Sequence, residues 1–207
     1  YGGGGADRIN GENNNDLIYG GSGNDTINGE GGNDTIYGGS GNDSIIGGGG
    51  TDAVYGGVGN DYLDGESGTD SLFGGSGNDT IQGGDQNDTI VGGYGADSLA
   101  GGSNVDTFKF LDLKDTNDTI SGFTSGTDQL DFSAIDAIPG DGDDAFAWGG
   151  EKTGAEVVAN SITWYTSGGN VYVLADTDGN TTTAEFSVTL TGITSVLEML
   201  VIPVSVT

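Results

Sequence analysis

Histidine and cysteine are both absent from this chain of 207 residues. Without histidine it holds no H-E-x-x-H zinc site, no Ser-His-Asp triad and no Cys-His pair. Without cysteine it has no disulfide framework and no thiol chemistry. Basic residues are scarce, 4 Lys and Arg against 32 Asp and Glu, for a formal net charge of −28. Such a balance excludes nucleic-acid binding, which needs cations opposite phosphates. An anionic membrane surface repels the chain for the same reason. No apolar run is long enough to span a bilayer, so membrane insertion is not expected, and no secretory leader is read at the N-terminus. Proline is nearly missing at 2 residues, whereas glycine reaches 44. Glycine alone at that level, without proline, excludes collagen and leaves a solenoid as the reading if a period is present.

The period is nine. Asp7, Asp16, Asp25, Asp34, Asp43, Asp52, Asp61, Asp70, Asp79, Asp88, Asp97 and Asp106 follow one another at that spacing without a slip. The unit is clearest in Gly74-Gly75-Ser76-Gly77-Asn78-Asp79-Thr80-Ile81-Gln82, or G-G-x-G-x-D-x-U-x with U apolar. A disordered acidic linker does not hold phase over twelve units. The eighth position is always apolar, from Ile9 and Ile18 through Leu99 to Phe108, and its neighbours are mostly polar, as Thr26 and Asn28 are around Ile27. Alternation of that kind predicts a short strand over positions seven to nine, with the eighth residue inward. Positions one to six are then a turn, where glycine supplies positive φ and lets carbonyls crowd together. Two such units make a coil of eighteen residues. Stacked coils predict an all-β fold, a right-handed parallel β-roll with odd repeats in one sheet and even repeats in the other.

Each coil offers only two inward side chains, a thin core for a Gly-rich chain that must offset its ordering entropy. Calcium can supply what the core lacks. It takes about six to eight oxygens, and the turns offer carbonyls together with the twelve Asp carboxylates named above, all twelve of which are candidate metal ligands. Two columns of six turns allow at most about ten inter-turn Ca²⁺ sites, enough to bring the net charge to about −8. Some repeats depart from the unit. Glu12, Glu30 and Glu66 replace the second Gly, while Asn14, Gln86 and Asn104 replace the fourth. Gln86 is the harshest change, because Asn tolerates the left-handed region, and the turns around Asp16 and Asp88 are those affected.

The pattern ends near residue 109, dividing the chain into an array over 1–109 and a β-rich C-terminal cap over 110–207. Phe108 and Phe110 are placed to plug the end of the roll. Strand-like runs in the cap are 161–165, 171–175 and 186–190. Tyr1 stands at a ninth position, in phase with Tyr19, Tyr37 and Tyr55, which suggests that the array continues upstream in a longer protein. With Phe73 these residues predict an aromatic ladder on one sheet, either stacking for stability or serving as a contact for self-association or an upstream domain.

The repeat unit, over 2–109, resembles the calcium-binding nonapeptide of RTX proteins. The tail resembles the C-terminal domain of the serralysin family of secreted metalloproteases. The segments that carry this are Asp118-Thr119-Ile120-Ser121-Gly122-Phe123 and Gly126-Thr127-Asp128-Gln129-Leu130-Asp131-Phe132-Ser133, followed by Asp144-Ala145-Phe146, Gly154-Ala155-Glu156 and Ala175-Asp176-Thr177-Asp178-Gly179-Asn180. The resemblance implies a secreted, extracellular or cell-surface protein, exported by type I secretion machinery and folding on calcium outside the cell. It also implies an uncleaved C-terminal export signal, for which Glu198-Met199-Leu200-Val201-Ile202 fits, a last strand of the cap being the other reading. The run 176–180 is read as a turn, with a metal site as the alternative; as an EF-hand it lacks the loop Gly, replaced by Thr181, and the final Glu, replaced by Ser187. No catalytic group is expected in the chain itself. The parent is either a surface-layer or adhesin-type protein, or a secreted hydrolase such as a serralysin-like zinc metalloprotease of which this is the non-catalytic C-terminal part.

Overall fold

A computed structural model of the chain describes residues 1–112, 114–124, 126–135, 147–151, 161–176, 184, 186–193 and 200–202. Among these no residue is helical. One sheet runs Gly3–Gly4, Leu17–Ser22, Thr35–Ser40, Ala53–Val58, Ser71–Ser76, Thr89–Tyr94, Thr107–Lys109, Gln129–Asp131 and Leu200–Ile202, with every neighbour parallel. The second runs Arg8–Asn10, Thr26–Asn28, Ser44–Gly49, Tyr62–Ser67, Thr80–Gly84, Ser98–Gly102, Asp118–Ser121 and Phe186–Thr191, parallel up to that point, and continues through Asn170–Asp176, Ser161–Ser167 and Ala147–Glu151, where the first two added pairings are antiparallel. The chain crosses from one sheet to the other with every repeat, as a β-roll requires. Register follows the coil length: Ile18 pairs with Ile36, Ile36 with Val54 and Val54 with Leu72.

Strands in the middle of the array are longer than the three residues expected. Thr35–Ser40 and Ala53–Val58 each cover positions seven to nine of one repeat and one to three of the next. Consecutive turns lie in the same register as the strands, so their backbones pair as well, Gly21 with Gly39 and Gly39 with Gly57. Positive φ is confined to the second and fourth positions within each turn, as at Gly39 (115°) and Gly41 (120°). Because of this longer strand, side-chain alternation reaches from position six to position one. Asp34, Ile36 and Gly38 point inward, while Thr35 and Tyr37 are half-buried on the outer face. The eighth-position column is a continuous core, buried from Ile18 to Phe108.

Beyond Lys109, Asp118–Ser121 and Gln129–Asp131 add one more strand to each sheet. Aromatic rings close this end. Phe110 stacks on Phe132 at 5.0 Å between centroids, and Phe186 meets both edge-on at 5.1 and 5.3 Å. The expected tail strands are present as Ser161–Ser167, Asn170–Asp176 and Phe186–Thr191, which form an antiparallel meander. Its last strand lies parallel on Asp118–Ser121 and joins the meander to the roll. The readings made for 144–146, 154–156, 177–181 and 198–199 fall outside the described residues.

Candidate metal centres

Alternation along the strand turns the sixth-position carboxylate into the roll. The ten Asp residues from Asp25 to Asp106 are at most 3% exposed, whereas Asp7 and Asp16 at the open end are half-buried. Each carboxylate uses its two oxygens differently. From Asp25 to Asp106, Oδ1 accepts a hydrogen bond from the backbone amide of the Asp eighteen residues earlier. Asp43 takes that of Asp25 at 2.8 Å, Asp61 that of Asp43 at 2.8 Å and Asp97 that of Asp79 at 2.7 Å. Oδ2 of all twelve repeat Asp residues is buried without a hydrogen-bond partner.

The first-position glycine explains where Oδ2 points. A Cβ placed on Gly56 would stand 2.6 Å from Asp61 Oδ2 and 2.6 Å from the Gly74 carbonyl of the next coil. On Gly38 it would meet Asp43 Oδ2 at 2.5 Å and the Gly56 carbonyl at 2.6 Å. Glycine fills this position in all twelve repeats, and in the first ten, from Gly2 to Gly83, it leaves open a cradle walled by a carboxylate oxygen and a carbonyl oxygen. Two acceptors facing one space with no donor repel each other, and a hard cation with oxygen ligands removes that repulsion. The donor set therefore fits calcium. In the metal-free state, burial pushes the carboxyls of Asp34, Asp43 and Asp52 upward, those of Asp61, Asp70, Asp79, Asp97 and Asp106 to about 6, and that of Asp88 to about 7. The amide bond to Oδ1 opposes this rise, and neighbouring carboxylates add to it.

The departures from the repeat keep its backbone. Glu12, Glu30 and Glu66 hold φ of 64–69°, and Asn14, Gln86 and Asn104 hold 81–108°. A non-glycine residue there costs about 1–3 kcal/mol, which the surrounding coils over-determine. The ladder runs unbroken past Gln86, with Asp88 Oδ1 accepting from Asp70 at 2.9 Å and the Asp88 amide donating to Asp106 at 3.0 Å.

Two features went unread in the sequence. Asp118 and Asp128 continue the ladder beyond the array, accepting from the amides of Asp97 (2.9 Å) and Asp106 (3.1 Å). The signal was present, since Asp118-Thr119-Ile120-Ser121 and Asp128-Gln129-Leu130-Asp131 both spell D-x-U-x, the last four positions of the repeat. The second feature is an Asn ladder of opposite polarity at the fifth position. Asn24 Oδ1 accepts from the Asn42 amide at 2.9 Å, Asn42 from Asn60 at 3.0 Å and Asn60 from Asn78 at 2.8 Å, all on the exposed turn. On the outer face Tyr1, Tyr19, Tyr37, Tyr55 and Phe73 stack at 4.6–5.0 Å with ring planes within 10°. Their faces are turned on one another, and the buried Val91 ends the row.

A family model for the RTX calcium-binding nonapeptide repeat matches residues 1–36, 28–63, 37–72, 46–81 and 73–108. Among solved structures, the solution structure of a subunit of the mannuronan C5-epimerase from Azotobacter vinelandii is similar at 22% identity. It covers 93% of this chain and 74% of its own length with a TM-score of 0.33, too low for any argument to rest on it. A comparison with curated proteins finds no match.

Proposed function

Since the chain belongs to the family of RTX calcium-binding nonapeptide repeats, we propose that it is a non-catalytic module whose folding is driven by Ca²⁺ outside the cell. The observation that carries this is the row of twelve buried Oδ2 atoms without partners, ten of which, from Asp7 to Asp88, share their cradle with a glycine carbonyl. Asp7, Asp16, Asp25, Asp34, Asp43, Asp52, Asp61, Asp70, Asp79, Asp88, Asp97 and Asp106 would hold the ions between consecutive coils. Bound calcium supplies positive charge between stacked carboxylates. The chain's own part is to place those oxygens: alternation turns Asp inward, glycine leaves room, and the ladder of amides fixes each carboxylate through Oδ1. Where calcium is low, buried carboxylates must take up protons or repel one another, and the roll opens. Where it is millimolar, weak sites fill and the coils close.

The larger context follows the tail's resemblance to secreted proteins. The array over 1–109 and the cap over 110–207 would form the C-terminal part of a longer protein exported by type I machinery. The parent would be a surface protein or a secreted hydrolase, and in either case this segment contributes folding and export. Titrating the metal-free chain with Ca²⁺ tests the proposal through far-ultraviolet circular dichroism, hydrodynamic radius and ion count. Cooperative compaction with up to about ten ions bound is expected. A spectrum and radius that ignore both calcium and chelator would overturn it.

A further inference from the structure

The junction between array and cap breaks the period. Twelve residues separate Asp106 from Asp118 where nine would be expected, and the extra length falls in the loop before Asp118. Within that loop Asp115 pairs with Gly95 through an isolated parallel bridge. Gly95 is a fourth-position glycine, so Asp115 occupies the register where the next coil would carry another glycine. It lacks the positive φ of that position and brings a carboxylate instead.

That carboxylate turns inward. Asp97, Asp115 and Asp118 are 2%, 1% and 0% exposed. One carboxylate oxygen from each lies within 4.8 Å of the other two. Asp115 Oδ2 accepts from the Leu111 amide at 3.3 Å, while Asp115 Oδ1, Asp97 Oδ2 and Asp118 Oδ2 are buried without a hydrogen-bond partner. The neighbouring cation does not serve them: Lys114 lies over the ring of Tyr94, 5.8 Å from its centroid. Elsewhere in the array, from Gly2 to Gly83, each repeat's cradle presents one carboxylate oxygen and one carbonyl oxygen. Here three buried carboxylates come together, and each has one oxygen without a partner.

We propose that Asp97, Asp115 and Asp118 form a three-carboxylate calcium site at the array–cap junction, filled at lower free Ca²⁺ than the sites between repeats. The proposal rests on the calcium reading of the array and extends it to two residues outside the repeats. Its physical basis is charge count, since calcium affinity rises with the number of charged oxygens in the site. The bound ion would tie the segment at Asp115 to the last full coil and complete the edge on which the other coils stack. By the same count, a trivalent ion of similar size prefers this site to the cradles between repeats.

Terbium(III) is the probe. Tyr94 lines the same pocket as Asp115, its hydroxyl donates to Asp112 Oδ2 at 3.3 Å, and it is 49% exposed. It is therefore placed to sensitise an ion held there, and replacing it should not disturb folding. The chain of 207 residues, kept folded in millimolar Ca²⁺, is titrated with Tb³⁺ while tyrosine is excited. The expected result is a first equivalent with strong emission, most of which Tyr94→Phe removes while emission from later equivalents persists. Asp115→Asn should weaken that first equivalent about tenfold. A first equivalent that emits equally in Tyr94→Phe, or binds equally in Asp115→Asn, overturns the site. Should Asp115→Asn fail to fold, the Tyr94→Phe comparison decides alone. Failure of the array reading is seen separately, as absence of any calcium-induced change in circular dichroism.

Discussion

In the array, Ile36 sits between Ile18 and Val54, each partner eighteen residues away, and the same contact recurs coil after coil. In the cap, Phe186 closes on Phe110 and Phe132, and the Ser187 amide reaches Thr116 Oγ1 across 71 residues. The array buries one aliphatic side chain and one carboxylate per repeat, whereas the cap gathers large aromatic rings. Apolar packing of the second kind stabilises without any ion. Burial of the first kind is self-opposing, because every repeat that adds an inward Ile or Leu also adds an inward Asp with an unpartnered oxygen. The two regions therefore differ in what they bury: every repeat of the array carries an unpartnered carboxylate oxygen, whereas among the described residues of the cap such oxygens occur at Asp115 and Asp118, beside the array.

Removing one region is the strongest test of that contrast. Deleting 110–207 leaves Phe108 and Leu99 uncovered at the end of the roll and removes the strands that extend both sheets. The calcium concentration at the folding midpoint should rise several-fold, measured by circular dichroism on 1–109 against the full chain. An unchanged midpoint would mean that the array finishes its own edge.

Acidity should separate the regions next. In the unfolded chain an Asp titrates near 3.9, whereas the metal-free roll holds Asp61, Asp70, Asp79, Asp97 and Asp106 at about 6 and Asp88 at about 7. With the folded value raised, the metal-free roll is most stable below pH 4 and loses stability as pH rises through 6 to 7. In chelator, lowering the pH from 7.5 to 4.5 should therefore increase β-structure. In limiting calcium the same change should release ions, since protons compete for Oδ2. A metal-free spectrum that is flat across this range would contradict the burial of those carboxyls.

A single methyl group tests the cradle without touching charge. Gly56→Ala puts a Cβ against Asp61 Oδ2 and the Gly74 carbonyl at a position whose φ is not in the left-handed region. One ion should be lost from the stoichiometry and the calcium midpoint should rise by about a factor of two to three. Isothermal titration gives both numbers. Tyr37→Ser should have the smallest effect, about 0.5–1.5 kcal/mol from lost ring stacking at a given calcium level. Sedimentation of the same variant shows whether the ladder also holds copies together: weaker association with folding retained would favour the contact role, and lost stability alone would favour stacking.

The sequence by itself determined the array. Its period, its inward column, its two-sheet division and the acid at every turn follow from contacts eighteen residues apart, which a strict repeat writes out in full. Twelve candidate carboxylates were legible for that reason, and the repeat itself belongs to a calcium-binding family. The fate of each oxygen was not legible. Only stacking divides Oδ1, held by an amide of the previous coil, from Oδ2, left facing a glycine carbonyl. The six-residue strands likewise depend on turns pairing with turns, which no single repeat reveals. At the junction the limit is sharper. Asp118 and Asp128 carried a readable D-x-U-x, but Asp115 belongs to no repeat and joins Asp97 only because a loop of altered length folds back onto the last coil. Tertiary structure decides such contacts because the oxygens that meet there come from segments that no local period relates.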